Sequence, residues 1–214
     1  MKPFHLIGIL ILVVIVLAAG FVVRAQSSKS SGAIAHFNSS LTAEENGKYA
    51  DALKEMEAIP ADARSDYAVV LRFGWVNYEN QKYDAAVRYY ERAATASGNK
   101  SIEALLGLTL PLAAKQDWSQ VEATYEKILA MDPANYTANL RLGQIYMNRA
   151  DYSMAAEHLG KALEHYPAAY EAVLSSAWNE LSLGRTNDAR KLFERALMLS
   201  PGDTSATRGL SSLK

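Results

Sequence analysis

From Leu6 to Val23 the chain reads LIGILILVVIVLAAGFVV, with no charge and no strongly polar side chain. A helix rises about 1.5 Å per residue, so this stretch nearly crosses a hydrocarbon core of about 30 Å. Phe4 and His5 extend it, and the pattern predicts one membrane-spanning anchor over residues 4–23. Lys2 lies before it and Arg24 and Lys29 after it, so the charge bias that orients a span is weak. The very short N-terminal flank favours an N-in, C-out arrangement. That places the rest of the chain on the extracytoplasmic, or periplasmic, side of an inner (cytoplasmic) membrane. A cleaved signal peptide is the rival reading, because Val23-Arg24-Ala25 offers small residues for cleavage before Gln26. Against it, the apolar region of a signal peptide is usually about 7–15 residues, shorter than this one. Residues 1–25 therefore read as anchor or signal peptide. Residues 26–32, QSSKSSG, read as a flexible tether.

From residue 33 the pattern becomes periodic. Pro133, Pro167 and Pro201 are spaced by 34, as are Ala52 and Ala86, and Ala155 and Ala189. Gly74 and Gly143 are 69 apart, two such periods and one inserted residue, which fits near Ser97-Gly98-Asn99. Small residues (Gly74, Gly143 and Ala177, then Ala52, Ala86, Ala155 and Ala189) mark places where two helices cross closely. Tyr90, Tyr125, Leu159 and Phe193 fill the space between units. Proline cannot continue a helix, so the three prolines mark junctions.

The stretches FGWVNYENQKYDAAVRYYERA (73–93), LGQIYMNRADYSMAAEHLGKAL (142–163), LGRTNDARKLFERALMLSP (183–201) and WSQVEATYEKILAMDP (118–133) resemble the tetratricopeptide repeat family. A period of 34 is that family's unit length, and about three or more helix pairs must stack to bury a continuous core. The resemblance implies an all-α, right-handed superhelical solenoid of about five helix pairs, following the N-terminal transmembrane helix. The tetratricopeptide domain covers 33–214, with units near 33–64, 66–98, 101–132, 133–166 and 167–200 and a C-terminal capping helix at 203–213. The first unit is the weakest match. Its first helix has only Ile34, Phe37 and Leu41 to suggest an apolar face, and Pro60 ends its second helix early. In the third unit Thr109 replaces the small residue and Pro111 lies within a helix, which predicts a bend near Gly107–Pro111.

In this family the first helix of each unit lines the concave face, and ligands usually lie along it. Carried onto this chain, the resemblance places Leu71, Arg72, Trp75, Tyr78 and Glu79 there, with Leu106 and Leu110, then Leu140, Arg141, Gln144, Met147 and Asn148, then Leu174, Trp178 and Leu181. Trp and Arg are frequent binding hot spots, and an apolar, aromatic groove suits an amphipathic helix or an extended peptide. Leu106, Leu110 and Leu140 read better as packing between units. Arg72 and Arg141 are placed either to grip a carboxylate or to stay solvated. The Lys and Asn clamp with which some family members hold the acidic terminus of chaperones is absent, since Leu71, Trp75, Leu106 and Leu110 stand at its positions.

Charge and chemistry narrow this further. Lys plus Arg number 22 and Asp plus Glu 23, so no field gathers nucleic acid. Cysteine is absent, which removes disulfides, thiolate ligands and cysteine nucleophiles. The histidines, His5, His36, His158 and His165, lack ligand spacing and read as solvated. Ser27–Ser31 belong to the tether, and Glu44–Glu45 have no apparent pocket. No catalytic, cofactor or metal site is predicted. The expectation is a membrane-tethered scaffold or assembly factor of the cell envelope that binds a protein or peptide in its groove. A secreted soluble chaperone or ligand-binding protein is the alternative, and oligomeric state is left open.

Overall fold

The computed structural model describes residues 31–213. The predicted anchor and most of the tether lie outside the described residues. Among the described residues all regular structure is helical, and no helix is long and apolar enough to cross a membrane. The helices are α1 (31–45), α2 (Tyr49–Ala58), α3 (Tyr67–Glu79), α4 (Tyr83–Ala96), α5 (Ile102–Ala114), α6 (Trp118–Met131), α7 (Tyr136–Asn148), α8 (Tyr152–His165), α9 (Tyr170–Ser182), α10 (Thr186–Leu199) and α11 (Thr204–Ser212). They form about five helix pairs and a terminal helix. The chain divides into two compact units at Asn99–Lys100. The first holds α1–α4 and the second α5–α11.

Each pair is closed by a turn of about three residues, so its helices run antiparallel. The turns share one device. Gly47, Gln81, Gln116, Ala150 and Gly184 all have positive φ, between 59° and 74°. A left-handed residue just past a helix lets the chain reverse while its amide caps the last carbonyls. Lys82 N, three residues beyond the end of α3, donates to Asn77 O, and Asp151 N donates to Tyr146 O in the same way. The helix starts are equally regular. Asp66, Ser101, Asn135 and Asp203 cap α3, α5, α7 and α11 with side-chain oxygens. At the corresponding start of α9, Ala169 has no side-chain acceptor to offer. Pro133, Pro167 and Pro201 all fall in the short connections that precede these starts.

Within a pair, a small residue on the first helix meets a large one sixteen positions on. A Cβ added to Gly74 would lie 3.0 Å from the Tyr90 ring, and one on Gly143 2.7 Å from Leu159. Gly209 on α11 is tighter still, at 2.3 Å from the Phe193 ring. Thr109, the residue that breaks the small-residue rule, fits because its hydroxyl donates to Leu106 O at 2.7 Å and receives the Tyr125 hydroxyl at 3.3 Å. Pro111 is buried inside α5, whose backbone stays helical from Ile102 to Ala114, so it does not end the helix.

The core of the first unit gathers Leu53, Met56, Ile59, Val69, Phe73 and Val76. In the second unit Val173, Phe193 and Leu213 form one cluster and Leu140 and Leu159 another. Full burial of a side chain such as Phe193 or Leu159 contributes about 1.5–3 kcal/mol. α1 differs from its predicted pattern. Phe37 packs on the core, but Ile34 is 58% and Leu41 38% exposed, while Ser40 is fully buried. The helix is turned so that a polar residue faces α3, and the reason lies in the side chain that meets it.

Candidate functional site

In the first unit, α3 carries Leu71, Arg72, Trp75, Tyr78 and Glu79, all partly exposed as whole residues. The Arg72 guanidinium reaches across to α1. Its Nε donates to Ser40 Oγ at 3.1 Å, its Nη2 donates to Ser40 O at 3.0 Å, and its Nη1 pairs with Glu44. The Trp75 indole N–H donates to the other Glu44 oxygen at 2.6 Å. Glu44 thus joins two of the predicted groove residues to α1, and Arg72 is buried and engaged within its own unit. The ring of Trp75 lies 5.8 Å from that of Tyr78, which lies 6.0 Å from Tyr83. Tyr49, at the start of α2, hydrogen-bonds Glu79. The Glu79 charge, burial and the Glu44 charge together push its hydroxyl above the ordinary tyrosine value.

In the second unit, Leu110 on α5 is 37% exposed, whereas Leu140 on α7 is buried in the core. Arg141 pairs with Glu171 on α9 at 2.5 Å and donates to Gln144 Oε1 at 2.8 Å. Gln144 in turn donates to Glu171 Oε1 and to Ser175 Oγ, both at 3.1 Å. Burial acts to raise the Glu171 carboxyl, but the hydrogen bonds from Gln144 and Arg141 prevail and hold it below the usual carboxylate range. Met147 packs at the edge of one core cluster, and Leu174, Trp178 and Leu181 pack at the edge of the other. Asn148 is exposed. The Trp178 indole N–H donates to Ser205 Oγ at 3.0 Å, and Arg208 lies 5.5 Å over its ring. The terminal helix α11 therefore covers part of that tryptophan. Leu110 and Asn148 are the exposed predicted residues here, and Arg141 and Gln144 are partly exposed.

Outside these faces, His158 departs from its predicted solvated state. It is 8% exposed, stacks on Tyr146 at 5.5 Å and bonds Asn139 Oδ1 at 3.2 Å through Nδ1. Asn139 Nδ2 is committed to the carbonyls of Pro133 and Asn135, so its oxygen faces the ring and Nδ1 is the donor. Burial, then Lys161, pulls the imidazole below its ordinary pKa. His36 pairs with Glu55 at 2.8 Å, and His165 is exposed. A cleft of about 700 Å³ in the first unit is lined by Ile34, Phe37 and Val69, with Asp62 and Asp66 beside them. Its Asp66 is occupied as the cap of α3. Among the described residues no cluster of three or more His, Asp or Glu side chains is placed to hold a metal ion.

Residues 37–102 and 140–206 match the family model of the tetratricopeptide repeat, well over half the chain. The chain belongs to the tetratricopeptide repeat family. Tetratricopeptide proteins are typically non-enzymatic scaffolds whose fold binds proteins or peptides. A curated relative, the Protein CTR9 homolog of Arabidopsis thaliana, is 26% identical over 160 residues. That match takes in 74% of this chain but only 15% of the relative, so the chain spans a small part of that protein's length. Among solved structures, a tetratricopeptide repeat protein from Parabacteroides merdae aligns with a TM-score of 0.72 at 20% identity, over 86% of this chain and 72% of that one. MamA from Desulfovibrio magneticus aligns at 0.68 and 17% identity, over 81% and 97% of the two chains. A further MamA crystal structure aligns at 0.67 and 15% identity, over 79% and 92%. At these identities the likeness is one of fold.

Proposed function

We propose that this tetratricopeptide protein is a scaffold whose first-helix faces hold a protein partner and whose N-terminal apolar stretch, residues 4–23, tethers them to a membrane. The observation that carries the reading is the side-chain set on those helices. Family residues fix the fold at Gly74, Gly143 and Ala177, while the first helices also hold Trp75, Tyr78 and Arg141, which are of hot-spot type, and Leu110, Gln144 and Met147, all at least partly exposed. The mechanism is proximity, since a tether raises the local concentration of a captured protein at the bilayer. The reading puts the array on the extracytoplasmic side of an inner membrane, in an assembly of the cell envelope.

Photo-crosslinking in cells tests the face. A benzoylphenylalanine at Leu110 or Met147 should capture a protein that the same probe at Lys161 or Met198, on second helices, does not. Capture from the second-helix positions alone overturns the assignment. Intact mass tests the tether: a mature chain beginning at Gln26 and released from membranes by carbonate removes it and supports the secreted alternative. Protease accessibility in spheroplasts tests the side, and digestion only after lysis overturns it.

A further inference from the structure

We propose that Trp75, Tyr78 and Tyr83, with Glu44 and Glu79, form a site for an organic cation, the ammonium or guanidinium of a Lys- or Arg-type group. The proposal rests on the scaffold reading above and names the chemistry that one part of that surface takes. Three partly exposed rings follow one another there. Trp75 and Tyr78 lie 5.8 Å apart at 40°, and Tyr78 and Tyr83 lie 6.0 Å apart at 46°. Such tilts present ring faces rather than a closed stack, and a cation is drawn to the negative face of a ring within about 6 Å of its centroid. The Trp75 ring is held in place, because its N–H is spent on Glu44 at 2.6 Å.

The carboxylates supply the second half of the recognition. Glu44 accepts the Trp75 N–H, and Glu79 follows Trp75 by one helical turn on the same face, so both carboxylates lie near that ring, and both raise the Tyr49 hydroxyl. Glu44 is largely neutralised by Arg72, with which it pairs. Glu79 bonds the neutral Tyr49 hydroxyl, which leaves its negative charge to attract a ligand. An anion finds little there, and an uncharged apolar side chain leaves the Glu79 charge unanswered. A cation with an apolar stem satisfies both rings and carboxylate. The source is either the side chain of a protein partner or a free organic cation.

Indole N–H resonances of the full-length chain in detergent micelles test this. Trp75, Trp118 and Trp178 each give one signal, assigned by Trp→Phe variants. Tetramethylammonium chloride, with sodium chloride as the ionic-strength control, should shift the Trp75 signal saturably and leave the other two in place. Capped peptides with a single central Arg or Lys should do the same. Tighter binding by the peptides identifies a protein side chain as the source, and tighter binding by tetramethylammonium identifies a free cation. Glu79→Gln keeps an acceptor for Tyr49 and should weaken binding about three- to tenfold. No saturable Trp75 shift, or equal affinity in Glu79→Gln, overturns the proposal. If that happens while Leu110 and Met147 still crosslink a partner, the cation site fails and the scaffold stands. A retained shift without crosslinks keeps the site and removes the scaffold.

Discussion

Arg72 and Arg141 each reach from a first helix to a carboxylate on a neighbouring first helix, yet the Arg72 side chain is 9% exposed and that of Arg141 43%. Both stand at the same place in the repeat. In the first unit the pair is enclosed between α1 and α3, and Ser40 answers the remaining donors. In the second unit the pair lies open to solvent, and Gln144 links it to Ser175. One residue type in one register is thus an internal clasp in one unit and an accessible contact in the other. The difference is set by what the neighbouring helix brings. α1 has few packed apolar side chains and leans on its polar ones, whereas α9 is anchored by Val173 and Ala177 in the core.

The largest effect should come from breaking the clasp. Glu44→Ala leaves a buried guanidinium without its countercharge and should destabilise the first unit by about 2–4 kcal/mol. Glu171→Ala, at an exposed pair, should cost under about 1 kcal/mol. Denaturant melts of both variants, with hydrogen exchange to localise the loss to α1 and α3, check the ranking. Equal costs would erase the distinction. Next come the close crossings. Gly143→Ala, with its Cβ 2.7 Å from Leu159, should cost about 1–3 kcal/mol, and Gly74→Ala, with the milder approach of 3.0 Å to the Tyr90 ring, should cost less. Thermal unfolding of the two variants orders them.

A smaller effect follows from pH. The folded His158 pKa lies below its ordinary 6.5, because burial and Lys161 disfavour the charged ring while Glu157, Glu126 and Glu122 oppose them. Its contribution is complete above the unfolded value and is lost as pH falls through the folded one. The denaturant midpoint should therefore drop between about pH 7 and 5, and His158→Gln should flatten that slope. The smallest effect is a gain. Ala150 sits in the left-handed region at φ 59°, exposed, so Ala150→Gly should stabilise by about 0.5–1 kcal/mol in the same melts.

Helix pairs were legible because small and large residues recur with the turn of the chain. Gly74 with Tyr90 and Gly143 with Leu159 carry that signal in their spacing alone. Gly209 against Phe193 was not readable by that rule, because there the large residue precedes the small one and the small one lies on the next helix. The left-handed turn positions hid better, since Gln81, Gln116 and Ala150 lack the glycine that announces such a φ. The Glu44 clasp was not legible. Its partners lie 28 and 31 positions away, and only the rotation of α1, which the exposed Ile34 and Leu41 obscure, brings them together. His158 was missed for a similar reason, because its partner Asn139 belongs to the helix before it.

The turn residues are 34 apart except once, where Gln81 and Gln116 are separated by 35. Within that interval Gly98 and Asn99 are both left-handed, at φ 65° and 60°, immediately before the boundary between the two compact units. The surplus position is taken up in a stretch with no small-to-large partner to keep in step. Whole modules can accordingly be duplicated or deleted on either side without shifting the reading frame of the packing, which makes this joint the natural place to splice the chain with a relative.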